Sequence, residues 1–173
     1  LGNNTTASNN VAVGYNSLST NTTGTRNTAV GSNALESVTT GGNNVAVGTN
    51  AGAAYTSGGQ SIFIGRDAGG TGGNGITAIG YFACNNTTAD NTMGIGYNAL
   101  SANTSGGNNI AIGNETLDAN TTGSNNTAVG RSALGANTTG GQGVAVGHRA
   151  LINNTTSGQN TVTIGDSNAS TIT

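Results

Sequence analysis

The sequence predicts an all-β fold, a parallel β-solenoid of about ten coils, and three observations carry that prediction. A short signature of β-branched and small residues ending in glycine recurs at one dominant spacing. Within it, larger apolar and small residues alternate with the period of a strand. Between signatures the chain is rich in Asn, Thr and Gly, the residue types suited to tight corners.

The signature ends at Gly14, Gly31, Gly48, Gly65, Gly80, Gly96, Gly113, Gly130, Gly147 and Gly165, with successive spacings of 17, 17, 17, 15, 16, 17, 17, 17 and 18. Such regularity makes residues 1–173 a single repeat domain with no internal boundary. Seventeen residues are too few for a helical hairpin, and the strand signal excludes a heptad. One coil then reads in order. A strand such as Val45-Ala46-Val47 ends at its glycine, an apolar anchor follows four residues later (Leu18, Leu35, Leu100, Leu117, Leu134, Leu151), and Asn-Thr-Thr-Gly closes the corner, as at 120–123 and 137–140. Stacked at about 4.8 Å per coil, ten such units make a rod on the order of 45–50 Å long. Like residues then lie over like, which is why the sequence repeats itself.

Alternation fixes that the two strand flanks share one face and the central residue takes the other. Placing the larger flanks in the core sends the central row outward: Ala12, Ala29, Ala46, Ala78, Ala111, Ala128 and Ala145, with Phe63, Gly94 and Thr163 as exceptions. An outward alanine row would suit a flat seam against another chain, and a thin core favours such extra burial. Oligomerisation is therefore expected.

Composition narrows the function classes. Only 6% of residues are charged and there is no Lys; the cations are Arg26, Arg66, Arg131 and Arg149. No basic patch for neutralising phosphates forms, so no nucleic-acid partner is expected. No apolar run is long enough to cross a bilayer, so no membrane insertion is expected. The low net charge of −2 also separates the chain from the usual charged disordered segment.

A search for chemistry yields little. His148 follows a repeat glycine at a freely varying position and has no ligand partners at metal spacing. Cys84 stands where other copies have the Leu anchor and reads as a small buried residue; as the single cysteine it excludes an internal disulfide. Asp67, Asp90, Asp118 and Asp166 fall at different repeat positions, so they form no calcium-binding ladder. Glycine pairs such as Gly72-Gly73 and Gly106-Gly107 lack the Lys-Ser/Thr of a phosphate loop. The expectation is no catalytic residue, no metal, no cofactor and no enzyme activity. Asn21, Asn103, Asn120, Asn137 and Asn154 begin sequons on the corner, open to glycosylation in a competent host. The corner threonines Thr104, Thr121, Thr138 and Thr155 raise an ice-binding reading, weakened because none of these four stands in a Thr-x-Thr. The repeat changes most where its spacing shortens, and Phe63, Arg66, Asp67, Tyr81 and Phe82 there form a candidate recognition patch.

The unit Asn-Asn-Thr-Ala-Val-Gly-x-x-Ala-Leu-x-x-Asn-Thr-Thr-Gly resembles the head repeats of YadA-like trimeric autotransporter adhesins, and also the longer repeats of phage and bacterial tail-fibre-like proteins. The resemblance runs from Leu1 to about Asp166. It implies a left-handed β-roll, three chains side by side, an extracellular, cell-surface or virion location, and a structural and adhesive role without catalysis. Partners would be copies of the chain itself and a host-surface receptor or glycan. Residues 166–173 keep the strand context but lose the Ala-Leu anchor, reading as a transition to another module or a junction between subunits. The chain is also nearly a whole number of coils, which leaves a head-to-tail filament as the alternative. An ice-binding or carbohydrate-binding solenoid is a further one.

Overall fold

The computed structural model describes residues 2–153 and 162–166. Among them are ten three-residue strands and no helix: β1 (Val11–Val13), β2 (Thr28–Val30), β3 (Val45–Val47), β4 (Ile62–Ile64), β5 (Thr77–Ile79), β6 (Met93–Ile95), β7 (Ile110–Ile112), β8 (Thr127–Val129), β9 (Val144–Val146) and β10 (Val162–Ile164). They form one parallel sheet in chain order, each strand pairing with the next, so the chain is a β-solenoid of about nine turns. Register is strict: Ala12 pairs with Ala29, Ala29 with Ala46, and Ala111 with Ala128.

The corners continue the stack outside the strands. Leu18 N–H donates to Ala34 O at 3.1 Å and Leu35 N–H to Ala51 O at 3.0 Å, one coil on. To turn within so few residues, the Leu anchors adopt the left-handed region, with φ of 49° at Leu18 and 54° at Leu100. That conformation is uncommon for Leu, and the surrounding hydrogen bonds hold it. The signature glycines go further, with φ of 130° at Gly14; a Cβ there would lie 2.6 Å from the carbonyl carbon of Gly31. Only glycine fits that approach.

The strand faces are inverted relative to the sequence expectation. Ala29, Ala46, Ala78, Ala111, Ala128 and Ala145 are wholly buried and Ala12 partly so; none forms an outward seam. The flanks point outward instead, Val45, Val47, Ile62, Ile64, Ile110 and Ile112 among them, each more than a third exposed. Core thickness explains the inversion. The inward strand residue shares its coil's interior with a second small row (Ala34, Ala51, Ala68, Ala83, Ala99, Ala133, Ala150) and with the Leu anchor. One large side chain per coil fills that interior, and the anchor supplies it.

Two exceptions show that the inward strand residue and the anchor share this interior. Phe63 replaces the inward Ala, and in the coils beside it Gly52 and Gly69 replace the Leu anchor. A Cβ on Gly52 would lie 2.6 Å from Phe63 Cδ2, and one on Gly69 would overlap the same ring. Phe63 is buried and meets Tyr55 edge-on, ring centroids 4.9 Å apart. Tyr55 donates its hydroxyl to Gly73 O at 2.6 Å, and burial pushes its pKa up. At the second exception Cys84 takes the anchor position and Gly94 the inward strand position, where a Cβ would lie 2.6 Å from Cys84 Sγ. Cys84 is buried as expected, and desolvation pushes its thiol up to about 12.

The sequon asparagines are interior too. Asn21, Asn103, Asn120 and Asn137 are fully buried, so they are closed to glycosylation in the folded chain; Asn154 lies outside the described residues. Their amides stack: Asn120 Nδ2 donates to Asn103 Oδ1 at 2.8 Å and Asn137 Nδ2 to Asn120 Oδ1 at 2.9 Å, while Asn120 Nδ2 also reaches Gly123 O at 3.0 Å. The ladder ends at Thr87, whose Oγ1 accepts from Asn103 Nδ2 at 2.9 Å; Asn21 stands apart, its Oδ1 without a donor because the next coil offers Val38. A second buried row precedes the strands: Asn27 N–H donates to Asn10 Oδ1, and Asn44 N–H to Asn27 Oδ1. These amides satisfy corner backbone that a core this thin cannot leave unpaired.

Candidate functional site

With the inner columns committed to packing, only the outer ones are open to solvent. The corner threonines are occupied: Thr104 Oγ1 donates to Thr121 O at 2.9 Å and Thr121 Oγ1 to Thr138 O at 2.9 Å. Their hydroxyls serve the stack rather than forming an open array. Thr155 lies outside the described residues.

The column just after the signature glycine varies most: Tyr15, Ser32, Thr49, Arg66, Tyr81, Tyr97, Asn114, Arg131, His148 and Asp166. His148 Nδ1 lies 3.6 Å from an Asp166 carboxylate oxygen. At mid-column three successive members stack along the rod. The Arg66 guanidinium lies over the Tyr81 ring, 5.6 Å from its centroid, and Tyr81 stacks on Tyr97 at 5.4 Å and 9°. Phe82 packs against Tyr81 at 4.6 Å. Arg66 Nε pairs with Asp67 Oδ2 at 3.0 Å, and Asp67 Oδ1 accepts from Asn50 Nδ2 at 2.8 Å. Of the predicted patch, Arg66, Asp67, Tyr81 and Phe82 therefore come together. Phe63 does not join them, because it is the buried core plug.

The same region carries a gap in the wall. In the short fourth coil, Gly69 N–H bonds Ala83 O at 2.9 Å, in the register of the Leu anchors. Only two residues later Thr71 N–H bonds Thr87 O at 2.9 Å, whereas regular coils take four residues from anchor to corner threonine. The two missing residues would lie between Ala53-Ala54 of the preceding coil and Asn85-Asn86 of the following one. Their absence leaves a notch of about 300 Å³ floored by Gly69. Across Asn85 and Asn86 it adjoins a groove of about 420 Å³ walled by Tyr81 and Phe82, with Asn98 and Ser101 opposite.

The notch also interrupts a hydrogen-bond column. In regular coils the residue six past the signature glycine donates to a carbonyl of the next coil, as Ser37 N–H does to Ala53 O and Ala102 N–H to Asp118 O, both at 3.1 Å. Ala54 N–H has no such acceptor and Asn85 C=O no such donor among the described residues. The Asn85 amide reaches back to the fourth coil, its Nδ2 donating to Asp67 O, while Asn86 Nδ2 donates away from the notch to Ser101 O of the following coil, both at 2.8 Å. The notch, Asn85, Asn86, Asn98 and Tyr97 were not singled out from sequence, although the spacing of 15 marks the place.

Elsewhere, Glu115 and Asp118 border a shallow cavity, and burial raises the Asp118 pKa. No group of three or more His, Cys, Asp or Glu side chains is placed to hold a metal among the described residues, and no helix there is long and apolar enough to cross a membrane. Comparison with protein-family models, curated proteins and solved structures returns no match.

Proposed function

We propose that the chain is a non-enzymatic structural and adhesive fibre segment, a rigid multivalent rod at an extracellular, cell or virion surface that assembles side by side with copies of itself. The observation that carries this reading is the outward stripe of Val and Ile along β1–β10. A polar rod gains nothing by keeping in water one continuous Val/Ile row, from Val13 to Ile164, beside a second row broken only by Thr28, Thr77, Met93 and Thr127, and association removes both from it. Three residues of strand and ten levels give the stripe roughly 400–450 Å², about half of the ~800 Å² per partner in a standard stable interface. The bordering columns must therefore join the contact. A closed ring in which every chain meets two neighbours meets that need, and the YadA-like resemblance favours three chains. The repeated outer columns then present each binding feature several times, which raises avidity.

The test is mass in solution by light scattering, together with negative-stain imaging. A trimer is expected, and Ile62→Asp with Ile110→Asp should convert it to a monomer with unchanged circular dichroism. A parent chain that stays monomeric overturns the reading, while long filaments from this chain alone replace it with head-to-tail assembly.

A further inference from the structure

We propose that the notch of the fourth coil and the aromatic groove beside it form one binding site for a neutral, hydroxyl-rich ligand, a pyranose chain of a glycan. Three observations point to that chemistry. The two cavities share Asn85 and Asn86 as a common ridge, so an extended ligand crosses from one to the other over these amides. Both amide nitrogens are committed to backbone carbonyls, which leaves their Oδ1 atoms to accept from ligand hydroxyls. Ala54 N–H and Asn85 C=O, the open halves of the interrupted rung, add a donor and an acceptor at fixed separation on rigid backbone. A hydroxyl, which donates and accepts at once, satisfies both kinds of partner.

The apolar component fits as well. Arg66 and Tyr97 flank Tyr81 along the rod, so Tyr81 offers its edge and hydroxyl. Phe82, half-buried in the groove wall, is the ring left to contact the C–H face of a sugar. Net charge is absent, because Arg66 is neutralised by Asp67, and this disfavours anionic ligands. The site lies within one chain and does not depend on whether copies assemble.

Calorimetric titration with cellohexaose, chitohexaose, maltohexaose and mannohexaose tests the proposal, beside a sialylated oligosaccharide and an uncharged Gly/Ser/Asn decapeptide. At least one neutral hexasaccharide should bind in preference to both controls, and Phe82→Ala and Asn86→Ala should each weaken it at least about tenfold. The sharper variant inserts Ala-Ala between Gly69 and Gly70, restoring a 17-residue coil and closing the rung. It should bind at least about tenfold more weakly while melting no lower than the parent. Should that insertion unfold the chain, the Phe82→Ala and Asn86→Ala titrations decide. The proposal is overturned if no neutral hexasaccharide binds at millimolar concentration, if the decapeptide or the sialylated sugar is preferred, or if a folded insertion variant binds like the parent.

Discussion

Replacing Phe63 by the alanine that other coils carry at its position should destabilise the protein. Phe63 fills the space that Gly52 and Gly69 vacate, so Phe63→Ala leaves a cavity with no large side chain in reach from either anchor position. Truncating a buried Phe costs about 3–5 kcal/mol. At about 2–4 °C per kcal/mol for a chain of this size, the melting point should fall by roughly 6–20 °C. Gly52→Leu alone should also destabilise, by about 1–3 kcal/mol, because its Cβ would lie 2.6 Å from Phe63 Cδ2 and 2.8 Å from Leu35 Cδ2. Together, however, the two substitutions restore an anchor on the Gly52 side of the vacated space and leave only the Gly69 side unfilled. Gly52 already has φ of 60°, close to the 49° of Leu35, so the backbone accepts Leu. The double variant should be more stable than Phe63→Ala alone, the remaining loss being the unfilled Gly69 side and the edge contact with Tyr55. Urea melts give the coupling energy, and hydrogen exchange locates it, since a stacked array can open coil by coil. An additive double variant, about 4–8 kcal/mol below the parent, would refute the compensated-volume account.

The remaining predictions bear on the ladders and faces. Asn120→Ala should cost about 1–3 kcal/mol in a urea melt, because Asn103 Oδ1 loses its buried donor, while Gly123 O keeps Asn109 Nδ2. Ala128→Val should cost about 1–3 kcal/mol by overfilling the inner row, whereas Ile112→Thr on the outer row of an isolated chain should change stability by less than about 0.5 kcal/mol; the reverse order would restore the outward-alanine arrangement. Cys84 should resist thiol reagents until the chain unfolds. Its thiol pKa is raised on folding from 9.0 to about 12, so its contribution is complete below pH 9 and is lost as pH rises toward 12. Stability should fall across that window by up to about 1.4 kcal/mol per pH unit more than in Cys84→Ala.

The solenoid, its coil boundaries and its corner glycines were legible in the sequence because each leaves a periodic mark. Orientation was not, because period-2 alternation separates two faces without saying which is inside. The deciding signal lay in the exceptions. Phe63 coincides with the loss of Leu at Gly52 and Gly69, so inward strand residue and anchor trade volume there and must share an interior. The sequons misled for a related reason. In a coil this narrow an Asn-Thr-Thr-Gly corner turns its Asn inward, where the amide bonds the Gly carbonyl three residues on. Arg66, Tyr81 and Phe82 were found because they break the repeat, while Asn85 and Asn86 were hidden by residing in an asparagine-rich sequence.

The place of the notch follows from how the stack bears load. Each coil contacts only its neighbours, so a defect in one wall weakens the rod locally. The missing residues come from columns five and six past the signature glycine, where Ala53, Ala54, Asn85 and Asn86 lie at or near the surface. A loss there opens one rung, on the order of 1–3 kcal/mol if its groups stay dry and less if water or ligand reaches them. The same loss in the strand or the Leu column would remove core. Phe63 and Tyr55, the largest fully buried side chains among the described residues, pack edge-on in the core beside this coil. The bulky core and the shortened corner are thus one construction: interior volume is restored on the strand side while the opposite wall is opened. A repeat that needed only length would have no use for that arrangement, and it is here that the outer column carries Arg66, Tyr81 and Tyr97.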